Sequence, residues 1–142
     1  MNIAFFLIPK NEVVCLNTKT TMRQALERME RHRFAAVPFV DDRGCYVGTI
    51  TEGDLLWKLK NTPGLDINGM EKIQLKDIAT HATNKPVRID SRIVDLLMLA
   101  SEQNFVPVVD DQDIFIGIVR RREIIEYCVD LISEREENSI KS

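Results

Sequence analysis

Apolar positions along the chain change period several times, and each change marks an element. Residues 13–16 form a short apolar run of strand type. Met22, Ala25, Leu26 and Met29 then recur at helical spacing, with Arg23, Glu27 and Arg28 on the opposite face, which predicts an amphipathic helix. Residues 36–40 and 46–50 are apolar and rich in β-branched and aromatic side chains. Joined by Asp41-Asp42-Arg43-Gly44, they predict a β-hairpin. A helix over 52–60 follows. The same order returns as a strand at 87–89, a helix at 93–101, strands at 105–109 and 115–119, and a last helix over 121–133. Asn61-Thr62-Pro63-Gly64 is a turn cluster, residues 66–69 continue the loop, and residues 70–78 predict a short helix. The polar, charged residues 134–142 are expected to fray.

The recurrence is a repeat of sequence as well as of pattern. Val37-Pro38-Phe39-Val40-Asp41-Asp42 returns 69 residues later as Val106-Pro107-Val108-Val109-Asp110-Asp111, and Tyr46-Val47-Gly48-Thr49-Ile50 returns as Phe115-Ile116-Gly117-Ile118-Val119. Between residues 37–56 and 106–125 six positions are identical without a gap, where roughly one identity is expected from ordinary residue usage. Two copies are too few for a solenoid, so the expected form is a pseudo-twofold module with two related clefts, each copy covering the other's apolar sheet face. The fold class is mixed α+β, with two βαββα units. Their expected limits are 1–62 for the first repeat, 63–84 for a linker with a short helix, 85–133 for the second repeat and 134–142 for a flexible tail.

Composition narrows the partners. The 142 residues suffice for one compact domain, and 44% hydrophobic with 29% charged residues is ordinary for a soluble protein. A net charge of -3 argues against general nucleic-acid binding. The apolar opening Met1-Asn2-Ile3-Ala4-Phe5-Phe6-Leu7-Ile8-Pro9 is far shorter than the ~20 residues of a membrane span and lacks the marks of a signal peptide. It is expected to dock on the body as an N-terminal strand or arm. Cys15, Cys45 and Cys128 are odd in number and widely spaced, which fits a reducing cytoplasm and no disulfide framework. His32 and His81 stand outside any metal-ligand spacing, and no nucleophile elbow, P-loop or Cys-x-x-Cys occurs, so neither catalysis nor a catalytic cofactor is expected.

The chemistry gathers where the second hairpin strand of each copy turns into a helix. In Gly48-Thr49-Ile50-Thr51-Glu52-Gly53-Asp54, Thr51 and Asp54 have the spacing of a helix N-cap. A helix start at a strand end is also a ready anion site, and a carboxylate there can accept from both hydroxyls of a ribose. The second copy reads Gly117-Ile118-Val119-Arg120-Arg121-Arg122-Glu123. Three cations at a helix N-terminus oppose the macrodipole, so either Glu123 and Glu126 pair with them or a phosphate does. Arg28, Arg31, His32 and Arg33 form a second basic group at a helix end, where cations are favoured anyway.

Taken together, the paired Val-Pro-apolar-Val-Asp-Asp segments and the run from Gly48 through Thr51 to Asp54 resemble the CBS-domain family, as a stand-alone tandem pair of the Bateman type. The resemblance covers residues 13–126. It implies two βαββα repeats packed through their sheets, a homodimer of such pairs, and clefts for adenosine compounds such as AMP, ADP or ATP. Some family members take S-adenosylmethionine, NAD or a cyclic dinucleotide instead. Carried over by position, Asp54 would hold ribose hydroxyls and Thr51 ribose or phosphate, while Cys15, Leu16, Ala36, Val37 and Pro38 would enclose adenine. Arg120 and Glu123 depart from the pattern. Glu123 could still accept ribose hydroxyls, and Arg120 with Arg121 could hold phosphate. The function implied is a regulatory sensor of an adenine nucleotide in the first-copy cleft. The rival is a ligand-free assembly subunit whose exposed helices, residues 124–132 included, contact a second copy or an effector protein. A cyclic di-AMP or RNA binder is favoured only if the arginine groups converge on one face.

Overall fold

In the computed structural model, which describes residues 1–141, a 3₁₀ turn at Ile3–Phe6 and strand β1 (Ile8–Pro9) precede the first repeat. That repeat comprises β2 (Leu16–Asn17), α1 (Met22–His32), β3 (Ala36–Val40), β4 (Tyr46–Thr51) and α2 (Glu52–Lys60). A connecting stretch carries α3 (Ile67–Met70) and a 3₁₀ turn at Leu75–Asp77. The second repeat follows as β5 (Val87–Arg88), α4 (Ile93–Glu102), β6 (Phe105–Val109), β7 (Phe115–Arg120) and α5 (Arg121–Lys141).

Local signals repeat with the sequence. Thr21 Oγ1 accepts from the Gln24 amide at 3.2 Å while Gln24 Oε1 accepts from the Thr21 amide at 3.0 Å, a capping box that starts α1. The hairpin turns share one device. Asp41 Oδ1 accepts from the amides of Arg43 and Cys45, and Asp110 Oδ1 accepts from those of Gln112 and Ile114, which is why an aspartate returns at this position. Each turn also needs a left-handed residue, supplied by Gly44 at φ 86° and by its counterpart Asp113 at φ 64°.

The sheets are β2-β3-β4 and β1-β7-β6-β5, so the N-terminal strand joins the second repeat's sheet. Ile8 pairs with Ile118 and Pro9 with Gly117. Behind that strand Ile3 and Phe6 enter the second core with Leu96, Val106, Val108 and Val119. The reverse exchange occurs at the connection. Met70, Leu75 and Ile78 complete the first core beside Met22, Met29, Val37, Phe39 and Ile50. Each core is therefore finished by residues beyond its own repeat.

The sheets meet about a pseudo-twofold axis that can be located from contacts. The rings of Tyr46 and its counterpart Phe115 stack at 6.3 Å between centroids, and Cys45 bridges its own counterpart Ile114. Equivalent positions touch each other only where the axis passes between them.

Three expectations shift. The strand read over 13–16 is confined to Leu16–Asn17, with residues 13–14 left as a lining segment. The helix read over 70–78 is split into α3 and the 3₁₀ turn. The last helix, read over 121–133, continues to Lys141 because no glycine or proline interrupts a run rich in Glu, Arg and Lys. Residues 134–141 are thus helical rather than frayed, and Ser142 lies outside the described residues.

Candidate functional site

Strand alternation sorts side chains between core and cleft. Val37 and Phe39 enter the first core, so Ala36 and Pro38 turn toward the facing sheet; Val119 enters the second core, so Ile118 and Arg120 turn the opposite way. Ala36 and Pro38 on one side and Phe105, Ile118 and Arg120 on the other line a cavity of about 490 Å³. Val13, Val14, Phe34 and Ile8 extend its apolar wall. The volume lies within the roughly 300–1,000 Å³ of small-ligand pockets.

Charge in this first cleft is predominantly positive. Arg28 and His32, one helical turn apart on α1, face the cavity with Arg120, and Glu12 is the only carboxylate among the lining residues. His32 stacks on Phe34 with centroids 5.6 Å apart and ring planes 13° from parallel. Arg120 donates through Nε and Nη2 to Glu123 at 3.2 and 2.6 Å, while its Nη1 has no partner among the described residues. Beside the cleft, burial pushes the Cys15 thiol up in pKa, and the positive charges of Lys10 and Arg28 pull it partly back.

A second cleft is generated by the same axis, and here wall residues are buried. Its expected walls are Pro107 and Phe105 against Thr49 and Thr51, the counterparts of Pro38, Ala36, Ile118 and Arg120. Thr49 is fully buried, and Pro107 is below 2% exposed. Thr51 and Asp54 stand at its edge in a complete capping box: Thr51 Oγ1 accepts from the Asp54 amide at 3.1 Å and Asp54 Oδ2 accepts from the Thr51 amide at 2.9 Å. The other carboxylate oxygen, Oδ1, is held by the His81 amide at 3.1 Å and by His81 Nδ1 at 3.0 Å.

The structure therefore distributes the sequence candidates over several environments. Ala36, Pro38 and Arg120 come together in the first cleft, with Glu123 tied to Arg120. Thr51 and Asp54 face the second. Leu16 and Val37 belong to the first core, and Cys15 is half-buried next to it. Arg121 turns away from both clefts: its Nε donates to the Ala100 carbonyl at 2.7 Å and its Nη1 to Asn104 Oδ1 at 3.2 Å, closing the end of α4. Arg122 pairs with Glu126 at 2.9 Å. The three arginines are thus each engaged within the chain. Arg28 and His32 were legible only as a helix end, although their spacing of four residues already puts them on one face. Val13, Val14, Phe34, Phe105 and Ile118 carried no comparable signal.

The model of the CBS domain matches residues 7–61 and again 76–130. The chain belongs to the CBS-domain family. This CBS pair is 27% identical over 124 residues to a CBS domain-containing protein of Dictyostelium discoideum, covering 82% of this chain and 85% of that protein. Among solved structures, its fold is similar to that of CbpB in complex with c-di-AMP, with a TM-score of 0.86, 20% identity, and coverage of 97% of this chain and 91% of the other. The CBSX2 structure in complex with AMP gives a TM-score of 0.69 at 23% identity, covering 92% and 97%. Two CBS domains span nearly all of the chain, and no described helix is long and apolar enough to cross a membrane. The chain is a CBS pair.

Proposed function

We propose that this CBS pair is a non-catalytic sensor that binds an adenine nucleotide in its first cleft, between Ala36 and Pro38 of one repeat and Arg120 of the other. One observation carries the reading: Arg28, His32 and Arg120 converge on a cavity whose remaining walls are largely apolar. Such a cavity fits a flat heterocycle against Val13, Val14, Ala36 and Pro38, with a phosphate toward Arg28 and Arg120. Arg120 has a donor edge left after pairing with Glu123, and a guanidinium matches phosphate oxygens in paired hydrogen bonds. The complexes of CbpB with c-di-AMP and of CBSX2 with AMP support the ligand class.

Binding would act by population shift, since a ligand biases assembly only by its preference between arrangements. AMP, ADP, ATP and c-di-AMP are compared by calorimetry and thermal melting. At about a hundred times its Kd the favoured compound stabilises the fold by ~2.7 kcal/mol. A melting curve that none of the four moves removes the proposal.

A second reading, assembly through helices, is favoured by the apolar groove between α1 and α2. Leu26, Leu56 and Leu59 line it, with Leu56 56% exposed, and Ile125 and Ile132 are also exposed in the second repeat. The occupant proposed is a second copy of the chain, giving a homodimer. Light scattering on the wild type and on Leu56→Glu distinguishes a dimer that dissociates from a chain that is monomeric throughout.

A further inference from the structure

The two clefts differ in what occupies them. Residues 80–85 run without regular structure across the mouth of the second cleft, from beside Gly48 to the start of β6. Four groups fasten them. The carboxylate of Asp54 takes the His81 amide and ring; the Tyr46 hydroxyl donates to the Asn84 carbonyl at 2.7 Å; Asn84 Nδ2 donates to the Phe105 carbonyl at 3.2 Å. Gln103 grips the last residue from both sides, accepting from the Lys85 amide at 2.9 Å and donating to its carbonyl at 3.1 Å.

The counterparts of the fastening residues explain why the first cleft has no such strap. Tyr46 is replaced by Phe115, which has no hydroxyl. Gln103, 7% exposed, is replaced by Phe34, 41% exposed and lining the open cavity. Asp54 is replaced by Glu123, whose carboxylate is spent on Arg120. The segment equivalent to the strap is instead drawn aside at its start, where Ile8 and Pro9 pair with β7. Each change removes an anchor from the first cleft and keeps one in the second. A loop that merely passed by would not collect hydrogen bonds from both sheets and from both repeats.

We infer that residues 80–85 are a built-in occupant of the second cleft, so that the protein offers one nucleotide site per chain, the first cleft, and exposes a second only when the strap is released. The stoichiometry rests on the function proposed above; the occupancy of the cleft does not. In the released state the second cleft would present Thr51, Asp54 and Tyr46, a hydroxyl and carboxylate lining suited to sugar hydroxyls. The first presents cations suited to phosphate.

Hydrogen exchange on the ligand-free protein tests the strap, and calorimetric titration with AMP tests the stoichiometry. The His81 and Lys85 amides are expected to be protected in the wild type. In His81→Ala/Asn84→Ala, which removes two exposed or half-exposed anchors, they are expected to exchange about tenfold faster while the core strands keep their rates. Tyr46→Phe, which copies the second repeat's residue, is expected to act in the same direction and guards against an unstable double variant. AMP is expected to bind once per wild-type chain and to gain a second, weaker event in the double variant. Protected strap amides with no AMP binding at all uphold the strap and overturn the nucleotide reading. Strap amides that exchange like an unfolded chain in the wild type, or two equal AMP sites per wild-type chain, overturn the strap.

Discussion

The cleft walled by Ala36, Pro38 and Arg120 and the cleft walled by Pro107, Thr49 and Thr51 share one backbone plan, down to the same strand registers and the same irregularity before the last paired residue. One is a lined cavity; the other is closed by residues of the chain. Backbone duplication therefore does not duplicate a site. A handful of side chains outside the repeated Val-Pro and Asp-Asp positions decide whether each copy of the cleft is left for a solute or sealed by hydrogen bonds.

The largest expected break in this symmetry is at the two glycines of β4 and β7. At Gly117 a Cβ would run into the Ile8 carbonyl, and φ is 158°, whereas at Gly48 it would meet the Phe39 ring at 3.5 Å and Thr80 Oγ1 at 4.0 Å, both ordinary van der Waals contacts. Gly117→Ala is expected to cost roughly 2–4 kcal/mol by detaching β1, and Gly48→Ala under about 1 kcal/mol, both read from urea unfolding. Equal losses would mean that β1 does not depend on this close approach.

Next comes Arg120→Ala, expected to weaken AMP binding roughly tenfold or more, as for a lost charge-assisted hydrogen bond. Asp54→Ala sharpens the contrast. It removes a cap and the strap's main anchor and is expected to lower stability by about 1–2 kcal/mol while leaving affinity at the first cleft nearly unchanged. Loss of AMP binding in Asp54→Ala with retained binding in Arg120→Ala would exchange the roles assigned to the two clefts. The smallest effect is expected at the ends of the helices. The first repeat stops at Lys60 and the second runs on to Lys141. Residues 134–141 are exposed throughout, so truncation after residue 133 is expected to change the unfolding free energy by less than about 0.5 kcal/mol.

Much of the fold was legible because its signals are local. The hairpin turns are written as Asp41 and Asp110, the cap of α2 as Thr51 and Asp54, and the helical face of α1 as Met22, Ala25 and Met29. The clefts were less legible because each is built across the repeats. Ala36 and Thr51 are neighbours in register, which invites their assignment to one site, yet the cavity that Ala36 lines takes its cation from Arg120 of the other repeat. Nor does anything near Asp54 in the sequence announce that His81 will hold its carboxylate. That contact depends on how the connection returns over β4, a long-range outcome with no periodic trace.

The arm that carries Ile3 and Phe6 has a consequence for the order in which the protein can form. These residues are synthesised well before the surfaces that bury them, which belong to β6, β7 and α5. Until then a pair of apolar side chains waits in solvent while the first core, completed by Leu75 and Ile78, can already close. The docking of β1 on β7 is then the step that closes the second core.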